Sequence, residues 1–151
     1  MKTARLIRPV KNIFLRILTV VMLFSVTACV KKIKFQTSAV VPAATGYVYI
    51  KSDENKNYVI RFSISNLAEI SRIQPSRQTY VVWLVSDQEK TVNIGLLESS
   101  AGFPSKQLKA SFETVTSHKP TKIFISAENN GNVQYPGKLM VLTTNKFRIN
   151  R

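Results

Sequence analysis

From Gly46 onward the chain is a series of short apolar runs broken by turn residues every eight to fourteen positions, and this spacing is the strongest constraint on its fold. Such spacing belongs to sandwiches and barrels of antiparallel strands. Within the run Tyr58 to Ile64, Tyr58, Ile60, Phe62 and Ile64 share one face, while Arg61, Ser63 and Ser65 point the other way. Period-two alternation of this kind marks a strand with one buried face. Thr79 to Ser86 is apolar on both faces and reads as a central strand. Further strands are expected at Gly46–Lys51, Thr91–Glu98, Leu108–Thr114, Lys122–Glu128 and Leu139–Thr143, which makes about seven. Between Asn66 and Arg77 the apolar residues Leu67, Ile70 and Ile73 fall three apart, so one helical turn or an ordered crossover is expected there, ended by Pro75.

The N-terminal segment has a different character. Met1 to Arg16 is basic, and Ile17 to Val26 is an uncharged apolar run of ten residues. That is the length of a signal-peptide core, and it is too short to span ~30 Å of hydrocarbon as a helix. Extending it through Ile13 to Leu15 would bury Arg16, which is costly at membrane depth, so an uncleaved anchor is the weaker reading. The run ends in Val26-Thr27-Ala28-Cys29, which resembles the bacterial lipobox. The resemblance implies cleavage before Cys29, acylation of its thiol and a signal peptide spanning residues 1–28. Val30, in place of an aspartate, together with Lys31 and Lys32, implies an outer-membrane position facing the periplasm in a two-membrane host. Residues 29–45 lack periodicity and read as a lipidated tether leading to a β-domain over residues 46–151.

Composition narrows the function classes. The 151 residues allow one domain, and 44% hydrophobic with 20% charged residues is ordinary for a globular one. Lys2, Arg5, Arg8, Lys11 and Arg16 leave with the signal, so 17 of the 22 basic residues remain against 8 acidic ones. This surplus favours anionic surfaces, although only Lys31, Lys32 and Lys34 cluster, beside the expected lipid. An exported, lipidated chain rarely meets nucleic acid, so none is expected as a partner.

The residues that carry chemistry are few. Cys29 is the only cysteine and His118 the only histidine, so neither a thiolate metal site nor a histidine-based triad has its partners, and no cofactor is expected. The carboxylates lie in turns beside lysines, or singly on strands, without EF-hand spacing. No glycine-rich phosphate loop and no G-x-S-x-G elbow is present. Trp83 reads as the central core residue of a sandwich, with a carbohydrate-stacking platform as the alternative. Tyr80 and Tyr135 are the candidates for an exposed aromatic surface.

One resemblance spans Gly46 to Thr144 in outline. Tyr80-Val81-Val82-Trp83-Leu84, a polar hairpin, and then Ile94-Gly95-Leu96 are similar to the extracytoplasmic domain of anti-sigma-K-type factors. The stretch Ile125 to Gly131, with Glu128 and Gly131, then Pro136 and the aliphatic run Leu139 to Leu142, follows the same order. The resemblance implies an immunoglobulin-like sandwich in which Tyr80, Trp83, Gly95, Glu128, Gly131 and Pro136 form a shared core motif, with Tyr80 and Glu128 as hydrogen-bond partners. Glu128 is followed by Asn129 where the family has proline, so the turn geometry there is expected to differ. The segment ahead of the apolar run is too short for a sigma-binding region, so direct sigma-factor binding is not expected. The expected function is that of a non-enzymatic envelope lipoprotein, a membrane-anchored interaction or structural module contacting other envelope proteins. The alternative is a binding module for anionic polysaccharide or peptidoglycan.

Overall fold

Among the described residues the chain forms nine strands. In the computed structural model, which describes residues 30–97, 100–101 and 108–149, these are β1 (Val30–Lys34), β2 (Thr45–Ser52), β3 (Tyr58–Ser65), β4 (Thr79–Ser86), β5 (Thr91–Leu97), β6 (Ser100–Ala101), β7 (Leu108–Thr116), β8 (Pro120–Glu128) and β9 (Met140–Thr143). The three-residue spacing of Leu67, Ile70 and Ile73 becomes a single 3-10 turn over Ile70–Arg72. No α-helix occurs among the described residues, and none of their helices is long and apolar enough to cross a membrane.

Two antiparallel sheets result, ordered β1-β2-β3-β7-β6 and β5-β4-β8-β9. Chain-neighbouring β3 and β4 lie in different sheets, while β3 pairs with β7 and β4 with β8. This is the strand order of an immunoglobulin-like sandwich, with β1 added at the outer edge of the first sheet.

Period-two alternation places the core. Val48 and Ile50 of β2 and Tyr58, Ile60, Phe62 and Ile64 of β3 face inward, opposite Tyr80, Val82 and Leu84 of β4 and their cross-strand neighbours Ile123, Ile125 and Ala127 of β8. Burial of each large aliphatic side chain stabilises the fold by ~1.5–3 kcal/mol. Phe62 stacks on Phe112 at 5.0 Å and meets Phe35 edge-on at 5.7 Å. Leu67 and Ile73, on either side of the 3-10 turn, complete this core from the crossover.

The N-terminal boundary differs from the tether expected over residues 29–45. Cys29 lies outside the described residues, but Val30–Lys34 is a paired strand, in register from Val30↔Lys51 to Lys34↔Tyr47. Beyond it Phe35, Val41 and Ala44 are buried, and Phe35 forms an isolated bridge to Thr144, the residue after β9. The Ser38 hydroxyl donates to the Val141 carbonyl and accepts from the Val40 and Val41 amides. Lysines flank the single inward apolar residue of β1, Ile33, so the sequence carries no alternating apolar signature there. Lysines at such positions suit an edge strand, since they discourage pairing with a further chain.

Candidate functional site

The motif residues of the sequence divide between the two faces of the β4 sheet. On the inner face, Tyr80 is 1% exposed and its hydroxyl donates to the Ala68 carbonyl at 2.9 Å. Burial pushes its phenol up to about 12. Tyr80 is therefore not an exposed aromatic, and it does not bond Glu128. It pairs with Ala127, so the two side chains project from opposite faces.

Trp83 is fully buried, but not in the core between the sheets. It belongs to a separate outer cluster with Val81 and Phe124, against which Val85 and Val133 pack. Its ring lies nearly parallel to Phe124, with centroids 6.1 Å apart. Alternation along β4 explains this position, because Tyr80, Val82 and Leu84 already occupy the inward places. The indole is enclosed, which removes the stacking-platform alternative.

A hydrogen-bonded clasp closes this cluster. The Trp83 indole N–H donates to Ser126 Oγ at 2.8 Å, and the Ser126 hydroxyl donates to Glu128 Oε1. The same carboxylate oxygen accepts the Gly137 amide at 2.7 Å. The loop over residues 129–139 is thereby drawn back across the sheet, with Val133 against the cluster. At the other side Asn93 Nδ2 donates to the carbonyls of Gly131 at 2.9 Å and Val133 at 3.2 Å. Pro136, exposed and without an N–H, leaves Gly137 as the donor.

A bulge in β5 places Asn93. The register passes from Val82↔Gly95 to Trp83↔Asn93, leaving Ile94 as the extra residue. Gly95 has φ +140°, and a Cβ there would come within 2.9 Å of Phe112. Trp83, Glu128 and Gly131 are thus parts of one clasp, Gly95 adjoins it through its amide bond to Asn93 Oδ1, Pro136 lies exposed beside it, and Tyr80 is separate from it. Sequence reading missed Ser126, Asn93 and Gly137, although a lone polar residue in the apolar run Ile123 to Ala127 was a visible signal.

Glu128 is 7% exposed, and its partners are an indole-bound hydroxyl and a backbone amide. It holds structure, and no second carboxylate converges on it among the bonds described. No group of three or more His, Cys, Asp or Glu is placed to hold a metal among the described residues. His118 sits half-buried in the β7–β8 turn, its amide bonded to Thr116 Oγ1 at 3.2 Å.

The other sheet presents a different surface. The outward residues of β1, β2, β3 and β7 form cross-strand rows: Val30–Lys51–Val59–Val115, then Lys32–Tyr49–Arg61–Glu113, then Lys34–Tyr47–Ser63–Ser111. Lys32 Nζ lies 4.1 Å from the Tyr47 ring centroid and 5.6 Å from that of Tyr49. Arg61 and Glu113 form an exposed ion pair at 2.6 Å. The pair holds the Glu113 carboxyl below its usual range and raises the guanidinium, chiefly through that hydrogen bond. Tyr135, on the clasped loop, is 81% exposed, as expected for a surface aromatic.

The lipobox residues Val26, Thr27 and Ala28 and the acylation candidate Cys29 lie outside the described residues. Comparison with family models, with curated proteins and with solved structures returns no match for this chain.

Proposed function

We propose that this chain is an envelope lipoprotein without catalysis of its own, anchored through acyl chains on Cys29 and acting as an interaction or structural module for other envelope proteins. The observation that carries this reading is the position of β1. The strand begins at Val30, the residue after Cys29, and pairs with β2 along its whole length. Acyl chains on Cys29 would therefore hold the sandwich at the membrane surface with no slack, an arrangement suited to presenting a rigid surface. Two or three chains give firm anchoring, whereas one binds only marginally. An outer-membrane, periplasm-facing position follows from the residues after Cys29. The immunoglobulin-like strand order supports the resemblance to the extracytoplasmic domain of anti-sigma-K-type factors, without sigma-factor binding.

The second reading, a module for anionic polysaccharide or peptidoglycan, is favoured by the Lys32, Tyr47 and Tyr49 cluster. The test of the first is metabolic labelling of the wild type and of Cys29→Ser with radioactive palmitate, followed by crosslinking of the membrane-bound wild type. Label in the wild type that is lost in Cys29→Ser, with discrete crosslinked proteins in the wild type, supports it. A wild type that takes up no label contradicts it.

A further inference from the structure

The outer face of the β1-β2-β3-β7 sheet is graded along its strands. The row that starts at Val30 is the most apolar, with Val30 52% and Val115 59% exposed and Val59 between Lys51 and Val115. The next two rows carry Lys32, Arg61 and Lys34 around Tyr49 and Tyr47. Lys109 extends the basic character, paired across from Ser65. Against these cations the described residues of the face offer one carboxylate, Glu113, already engaged by Arg61. Cations stand in every row, Lys51 in the first, Lys32 and Arg61 in the second and Lys34 in the third, with exposed valines and tyrosines between them. This mixture of cationic, aromatic and apolar side chains suits the headgroup level of a bilayer.

We propose that this sheet face is a contact surface for anionic phospholipid headgroups, so that the sandwich lies against its own membrane rather than standing away from it. The inference deepens the anchoring reading and takes its orientation from it: the apolar row is the one nearest Cys29. Charge complementarity selects the occupant, because each Lys or Arg near an anionic leaflet adds to attraction that salt screens. Lys32, held only over the Tyr47 and Tyr49 rings, and Lys34 are exposed on an edge strand and can turn to phosphate without disturbing the core. The opposite sheet, covered by the clasped 129–139 loop, then faces away from the membrane and remains open to protein partners.

The test uses the full chain as cells produce it, reconstituted in phosphatidylcholine vesicles with and without phosphatidylglycerol. Ser63→Cys, in the middle of the face, and Asn130→Cys, on the far loop, are each labelled with a fluorophore; the lipids carry a headgroup quencher. Labelling of the wild type measures any contribution from Cys29. The expected result is strong quenching at position 63 and weak quenching at 130, only with phosphatidylglycerol, and reversed by high salt. Lys32→Glu with Lys34→Glu is expected to weaken this contact about tenfold or more while the protein still floats with the vesicles. Trp83 emission checks its folding from the other sheet. Equal quenching at both positions, or quenching at 63 that ignores salt and charge reversal, overturns the proposal and leaves the face to a glycan or protein. Failure to float counts against anchoring instead; the labelled chains added to the vesicles from solution then still decide the face.

Discussion

The carboxylate of Glu128 accepts the backbone amide of Gly137 at 2.7 Å, and this bond ties the end of the 129–139 loop to the strand that the loop leaves. A Cβ at Gly137 would stand 2.6 Å from Glu128 Oε2, so the approach requires glycine. Glu128→Ala leaves the Gly137 amide and the Ser126 hydroxyl without their acceptor, and is expected to cost ~1–3 kcal/mol. Gly137→Ala is expected to cost a similar ~1–3 kcal/mol through overpacking, while Glu128→Gln, which keeps an acceptor, costs less. Denaturant unfolding measures the cost. Trp83 is the only tryptophan, so greater acrylamide quenching of its emission in the Ala variants reports the opened clasp.

Tyr80 predicts a weakness toward alkali. Its phenol titrates at about 12 in the fold against an ordinary value of 10.0, because burial disfavours the phenolate. The stability linked to this group is complete below pH ~10 and is lost as pH rises toward ~12, since the unfolded chain releases the proton first. The loss is expected to be on the order of 2 kcal/mol. Tyr80→Phe forfeits the bond to the Ala68 carbonyl and so starts less stable, but its stability should fall less steeply over the same window. Parallel slopes for the two proteins would contradict this account.

Gly95→Ala is expected to destabilise more than an ordinary surface glycine substitution, by ~2 kcal/mol or more, because both backbone and space oppose it. The φ of +140° disfavours any side chain, and Phe112, part of the aromatic stack with Phe62, blocks a Cβ at 2.9 Å. The thermal midpoint of the variant provides the measurement.

Glu113→Gln removes the one carboxylate among the described residues of the cationic face and frees Arg61. The unfolding midpoint is expected to change little, because the pair is exposed. Association with phosphatidylglycerol vesicles is expected to rise. A fall in that association would show that the ion pair organises the face instead of masking it.

How much of this was legible follows from which contacts are periodic. The alternation in Tyr58 to Ile64 located β3 and its buried face, and the apolar run Thr79 to Ser86 matches β4 residue for residue. The strand expected at Gly46 to Lys51 lies within β2, but its exposed Tyr47 and Tyr49 were not singled out. Trp83 was read as buried correctly, but on the wrong side. A strand apolar on both faces does not say which face meets the other sheet, and the covering loop, rich in asparagine and glycine, looks like mere turn. The bulge that presents Asn93 has no periodic signature, since one extra residue changes the register without changing composition. β1 was hidden for the opposite reason: three lysines in five residues conceal an edge strand whose backbone bonds, rather than its side chains, hold it in place.

The central claim is that the sandwich is held at the membrane by lipid on Cys29, and the intact mass of the protein isolated from its native membrane tests it most directly. The account predicts a chain that begins at Cys29 and carries two or three acyl groups, with Cys29→Ser neither processed nor acylated. A mass that begins at Met1, without lipid and unchanged in behaviour by Cys29→Ser, would contradict it.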